Sequence, residues 1–349
     1  MKEGGVMEEA KLVYWFEELG KEFNDLVGKK GANLGEMTKM GLPVVPGYVV
    51  SIESYRKFMA ETGVGEQISK YIASLGKIEN IDKCEEASKA IRSMIEEQAM
   101  PGYLEEKIGS YYDALCQKTG IPDVAVSTRS GGPASRPGMF DTYLNVKGKE
   151  HVLQHVKKVW SSAFTGRAMW YRLKHDIPLD GDVLGVVVMK LVNARSAGIT
   201  FTADPVTGDR TRIITDASWG IGEGVVSGKV VVDRFVINKE TLEIVDKAIG
   251  KKTFSISTVQ EGVEETPIPP EKQEVPCLSD DEIKEIAKLG KSLEERLGEP
   301  QDIEWAIDPD MPAPNNLFVF QTRPEKFATE KVSTAVDRLA DIMAKRAGR

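Results

Sequence analysis

The stretch that most constrains this chain runs from Gln301 to Arg323, within PQDIEWAID, the turn sequence PDMPAPNN, and LFVFQTRPE. Apolar and polar residues alternate on both arms around a Pro/Asn-rich turn, so the segment predicts a β-hairpin. Side chains along a strand point alternately to opposite faces, which groups Asp302 with Glu304 on one arm and Gln321 with Arg323 on the other. Two carboxylates, an amide and a guanidinium then share one sheet surface. Carboxylate and amide oxygens suit Mg²⁺ and a guanidinium suits phosphate, so the expected ligand is a metal nucleotide. A solvent-facing hairpin with a cross-strand salt bridge is the plainer alternative.

A chain of 349 residues exceeds what one core serves, and two lobes are expected. With 41% apolar and 29% charged residues the composition is that of an ordinary globular protein, and a net charge of −8 argues against a general nucleic-acid binder. No apolar run reaches membrane-spanning length, and MKEGGVMEEAKLVYWF lacks the basic-then-apolar order of a signal peptide, so a cytoplasmic protein is expected. Cys84, Cys116 and Cys277 lack metal-ligand spacing and are expected to be reduced and structural. His151 and His155 stand one helical turn apart without an acidic or cysteine partner, which favours a helix role over a metal site.

Other stretches carry chemistry or exclude it. In LVGKKGANLG, Gly28, Gly31 and Gly35 surround Lys29 and Lys30 ahead of a helix, a place where amides and an ammonium meet an anion, although the Walker spacing is missing. VAVSTRSGGPASRPGMFDTYL passes from a buried strand through Arg129 into a loop with Gly131, Gly132, Pro133, Arg136, Pro137 and Gly138, and resumes at Asp141 and Thr142. Glycines let backbone approach a polyphosphate, and the hydroxyls of Ser130, Ser135 and Thr142 add donors. Ser51 and the capping box Ser279 to Glu282 predict helix starts. From Leu184 the texture turns to strands, which places a lobe boundary near 178–183, and the charged, proline-rich residues 258–278 predict a surface connection. GIGEG and Gly290-Lys291-Ser292 imitate nucleotide loops but lack their spacing and context. The expected division is an α/β lobe over 1–180, a β-rich lobe over 181–326 and a helical tail over 327–349.

Five blocks, LVGKKGANLGEM, STRSGGPASRPGMFDTYLN, VNARSAGITFTADPVTGD, DASWGIGEGVVSG and PQDIEWAID…LFVFQTRPE, resemble in that order the nucleotide-binding domain of phosphoenolpyruvate synthase and pyruvate phosphate dikinase. The resemblance spans roughly residues 12–325. It implies an α+β, ATP-grasp-like fold of two lobes with ATP in the cleft. It implies that Lys30 and Arg129 hold ATP phosphates, that the Gly131, Gly132 and Gly138 loop closes over them, and that Thr142 and Thr202 belong to the site. Glu304 and Gln321 are implied as Mg²⁺ ligands with Asp302 beside them, and Arg323 as the clamp on the transferred phosphoryl group, with Arg323, Lys30 and Arg129 as the catalytic set. Pro133 stands where the dikinases usually carry an arginine, and Met189 where some relatives place a glutamine near adenine.

Family enzymes pass the phosphoryl group to a histidine on a swivelling domain, and none of His151, His155 or His175 lies in such a context. The resemblance therefore implies a partner that supplies the phosphohistidine and the acceptor site. A free-standing ATP-activating subunit similar to that of phenylphosphate synthase is the expected reading, with phenol, ATP and water giving phenylphosphate, AMP and phosphate. The alternatives are the nucleotide-binding part of a phosphoenolpyruvate synthase, an ATP sensor without chemistry, and a ligase forming ADP and an acyl phosphate.

Overall fold

The computed structural model describes residues 11–78, 80–133, 139–180, 182–313 and 315–327. Ser135, Arg136 and Gly138 of the glycine loop, and the tail helix expected beyond Phe327, lie outside them. The chain divides into two compact units, one of residues 1–191 with 259–262, the other of 192–258 with 263–349. Among the described residues no helix is long and apolar enough to cross a membrane.

In the first unit the elements run β1 (Val13–Trp15), α1 (Asn24–Lys39), β2 (Gly47–Val50), α2 (Ile52–Glu61), α3 (Val64–Ser74), α4 (Ile81–Glu96), α5 (Gly102–Thr119), β3 (Val126–Gly131), β4 (Thr142–Val146), α6 (Lys149–Ser161), α7 (Gly166–Lys174) and β5 (Gly185–Lys190). The strands form an antiparallel five-stranded sheet in the order β1-β2-β5-β3-β4. Alternation decides its two faces. Tyr48, Val50, Val126, Val186 and Val188 pack into a core with Phe58, Ile91, Ile108, Tyr112 and Trp160 from the helices. Residues of the opposite parity, including Val49 and Arg129, lie on the side of α1, where Gly31 abuts Val49. The expected caps are present: Ser51 Oγ accepts from Ser54 N, which starts α2.

The expected lobe boundary at 178–183 falls before β5, whereas the first unit extends through Leu191. β5 pairs with β2 on one side and β3 on the other. Its run GVVVMK is continuously apolar because both faces are covered, a pattern that announces a buried strand without naming its sheet.

In the second unit β6 (Ser196–Phe201), β7 (Arg212–Trp219), the single turn α8 (Glu223–Val226), β8 (Asp233–Asn238) and β9 (Ile244–Ala248) precede a two-stranded sheet of β10 (Phe254–Thr258) and β11 (Val263–Pro267). Then α9 (Asp280–Leu297) leads into β12 (Gln301–Ile307) and β13 (Leu317–Pro324). The six-stranded sheet is antiparallel in the order β13-β12-β6-β7-β8-β9. The surface connection expected over 258–278 instead contains β11, and it ends with Cys277 and Leu278 buried in the core. Ile256 also packs inward from β10, so the alternation of FSIST carries structure that composition conceals.

One face of this sheet is closed by α9. Ile283, Ile286 and Ala287 meet Ala217, Phe235, Trp305 and Ile307 there. Ser279 and Glu282 form the expected capping box at the start of that helix. Gly198 is required beneath Trp305, since a Cβ on it would stand 2.6 Å from the indole and 2.4 Å from the Asp216 carbonyl. The seated indole donates to Thr200 Oγ1 at 2.8 Å.

Candidate functional site

The first unit brings Lys30, Arg129, Gly131, Gly132 and Thr142 to one region. Helix α1 is broken at Gly28, whose φ of 74° and ψ of 163° are open to glycine and strained for other residues. A Cβ on Gly28 would lie 2.3 Å from the backbone carbon and oxygen of Gly131. Two glycine backbones therefore touch, and Lys29 N donates to Gly132 O at 3.0 Å. That amide, expected from sequence to be open to an anion, is spent on holding the glycine loop. Lys30 follows directly, half-buried. Arg129 and Thr142 are cross-strand partners, which puts the guanidinium and the hydroxyl on the same face.

Met139 and Asp141, which follow the glycine loop in sequence, are held by neighbouring side chains. Thr165 Oγ1 and Arg167 Nε donate to Met139 O at 3.2 and 3.1 Å. Arg167 and Arg92 reach Asp141 at 2.5 and 3.2 Å, and Tyr143 donates to the same carboxylate at 3.3 Å. His155 packs edge-on against Tyr143, and its Nδ1 lies 2.7 Å from His151 O, so this pair serves the helix as expected. Met189 is fully buried within β5.

The second unit carries the hairpin set on the sheet face opposite α9. Register places Asp302 across from Arg323 and Glu304 across from Gln321. Regular alternation would keep Gln321 and Arg323 on the face of Leu317 and Val319, which are buried. The ladder shifts between Glu304 and Trp305, where Val319 faces Trp305 and Phe320 is the extra residue. This bulge turns Leu317 and Val319 to the core and Gln321 and Arg323 to the open face.

Arg323 holds Asp302 through Nε at 2.7 Å and Nη2 at 2.6 Å, with the arginine side chain 50% exposed and the aspartate 9%. Burial pushes the Asp302 carboxyl above its ordinary range and outweighs the opposing guanidinium. A buried carboxylate whose countercharge stands half in water contributes little as a stabilising pair. Gln321 Nε2 donates to Glu304 Oε1 at 3.3 Å. This donor set fits Mg²⁺, which takes few protein oxygens and completes its shell with water and phosphate. Among the described residues no cluster of three or more His, Cys, Asp or Glu could hold a metal by itself. Next along the same face, Asp216 and Arg234 form a two-pronged pair at 2.7 Å. The strand register aligns Asp216 with Ile199 and Glu304, a relation that needs the sheet order to be seen.

Thr202 departs from its expected role. It is wholly buried on the α9 side, its hydroxyl accepts from Gln301 N at 2.8 Å, and Thr322 Oγ1 donates to Gln301 Oε1 at 2.9 Å. Thr202 thus braces the strand ends beneath Asp302 and Arg323, and we assign it no ligand contact. Glu325, two residues past Arg323, is buried and was missed, because the alternation ends at Pro324 and gives the next residue no face.

Comparison with known proteins bears on all of these groups at once. A family model described as "Pyruvate phosphate dikinase, AMP/ATP-binding domain" matches residues 24–342. A protein of Methanocaldococcus jannaschii named probable phosphoenolpyruvate synthase is 40% identical over 97% of this chain and 29% of its own length. One of Staphylothermus marinus with the same name is 37% identical over 97% of the chain and 44% of its length, and the phosphoenolpyruvate synthase of Aeropyrum pernix is 37% identical over 94% and 44%. The chain thus spans less than half the length of these relatives. The match covers both units, from α1 through the hairpin, and the chain belongs to the family of pyruvate phosphate dikinase AMP/ATP-binding domains, an ATP-grasp-like fold.

Proposed function

We propose that this chain binds Mg-ATP and activates it for phosphoryl transfer to a histidine that lies outside the chain, as the nucleotide-binding part of a phosphoenolpyruvate synthase-type phosphotransferase. The observation that carries the reading is the bulged hairpin, which turns Asp302, Glu304, Gln321 and Arg323 to one open face. Lys30 and Arg129 meet the charge of the phosphates, and Gly131, Gly132, Gly138 and Thr142 supply backbone approach and a hydroxyl. Glu304 and Gln321 would hold Mg²⁺, whose chemistry is to neutralise charge on the phosphate oxygens. Arg323 clamps the phosphoryl group in flight, with Asp302 fixing the direction of its guanidinium. Phosphoryl transfer asks a protein for little beyond such positioning and charge stabilisation.

The reaction is cleavage of ATP, with one water consumed, to AMP and phosphate, while the β-phosphoryl group passes through the external histidine to an acceptor. Pyruvate is the acceptor we carry forward, because the matched relatives are named phosphoenolpyruvate synthases. Phenol, as in phenylphosphate synthase, is the competing acceptor. An ATP sensor would have no use for Arg323 placed beside a Glu/Gln cation pair, and a ligase would leave ADP. The test is incubation with Mg²⁺ and ATP labelled at the β-phosphate, with and without a phosphohistidine-bearing partner. Label on the partner together with AMP supports the reading, and pyruvate or phenol then discharges it. ADP as product, or bound ATP with no transfer to a competent partner, overturns it.

A further inference from the structure

Glu325 is buried at the end of β13, with 9% of its surface exposed. Its Oε2 accepts the Ala203 amide at 3.1 Å, and its own amide donates to Pro300 O at 2.9 Å. Among the described residues its Oε1 has no hydrogen-bond partner. Ala203 opens a turn that is organised by its own side chain, since Asp204 Oδ1 accepts from Val206 N and Thr207 N. Glu325 therefore ties the end of the strand that bears Arg323 to the loop after β6, the strand paired with β12. A carboxyl held dry on a single amide is costly, and a neutral apolar side chain would pack there at less cost. Its neighbours explain what the cost achieves. Asp302 lies close enough for its charge to act on Glu325, and Lys239 and Glu294 reach it from the β8–β9 turn and from α9.

We propose that Glu325 is a positioning residue for the Arg323–Asp302 pair: it locks the end of β13 to the Ala203 amide, so that the Arg323 guanidinium keeps the direction a phosphoryl group requires. The positioning follows from the bonds above, and its purpose rests on the nucleotide reading of Arg323. Thr322 and Gln301 brace the strand from the α9 side, and Glu325 fixes its far end, which leaves Arg323 between two pinned neighbours.

Two measurements on the same variants separate the inference from that reading. In protein labelled with ¹⁵N-arginine, the Arg323 Nε–H, assigned by its loss in Arg323→Lys, should exchange slowly in the parent and in Glu325→Gln, which keeps an acceptor for Ala203. In Glu325→Ala it should exchange about tenfold faster. Glu325→Met fills the same volume without an acceptor and gives the same answer if Glu325→Ala does not fold. Unchanged exchange in the variants without an acceptor overturns the inference. Calorimetry with Mg-ATP should show about a fivefold loss of affinity in Glu325→Met, rescue in Glu325→Gln, and no further loss when Glu325→Met is added to Arg323→Ala. Losses that multiply in the double variant contradict action through Arg323. If the parent chain binds no Mg-ATP, the nucleotide reading falls and the exchange experiment alone decides the positioning role.

Discussion

Arg323 and Asp302 form a pair that contributes little to stability, and the nucleotide reading gives it a role. Arg323→Ala takes the countercharge from the buried Asp302 carboxylate, so it should lower the melting temperature by about 5 °C and remove transfer to a competent partner, while adding Asp302→Asn should restore the melting temperature and not the transfer. Glu304→Gln should weaken Mg-ATP binding about tenfold by calorimetry, because it deletes the one carboxylate of the proposed cation pair. Glu325 adds a pH signature. Burial, opposed by the Ala203 amide and reinforced by the Asp302 charge, pushes its carboxyl up from an ordinary 4.5 to about 7. The folded state then holds a proton that the unfolded state releases, so this group's contribution falls as pH rises from 4.5 to 7 and is constant above. The loss is on the order of 2 to 3 kcal/mol, and urea midpoints should show it disappearing in Glu325→Gln, which cannot ionise. Alternation paired Asp302 with Glu304 and Gln321 with Arg323 within each arm, but that the two pairs share the open face depends on the bulge at Phe320, which the pattern does not announce. Glu325 and the burial of Thr202 were not legible, since both depend on residues brought near only by the completed sheet.

At the scale of elements, local signals survived and non-local ones did not. Ser51 and the Ser279 capping box each concern a few neighbouring residues, and the helices begin where they point. Ser279→Ala should cost about 1 kcal/mol in urea unfolding and leave Mg-ATP affinity unchanged, which separates scaffold from site. The break in α1 is of another kind. Sequence marked Gly28 as one glycine among several, whereas the fold presses it against the Gly131 backbone. Gly28→Ala should destabilise by about 3 kcal/mol or more, through a positive φ and a backbone clash together, with Mg-ATP affinity lost in parallel. The bulge at Phe320 and the sheet membership of β5 share one reason for having been invisible: strand partners are chosen across long stretches of chain, and an alternation pattern is silent about them.

For the whole molecule, the family match and the two units describe a nucleotide-handling module that spans less than half of its relatives' length. On the proposed function, the phosphoryl group passes from the nucleotide site to a histidine and then to an acceptor. The claim on which everything else depends is Mg²⁺-dependent ATP binding by the two residue sets, Lys30 with Arg129 and the hairpin four. It is tested most directly by a calorimetric titration of the parent chain with ATP, with and without Mg²⁺, repeated on Lys30→Ala and Glu304→Gln. The account predicts ATP binding that tightens when Mg²⁺ is present and weakens about tenfold in each variant. Absence of binding, or binding indifferent to Mg²⁺ and to both substitutions, would contradict it.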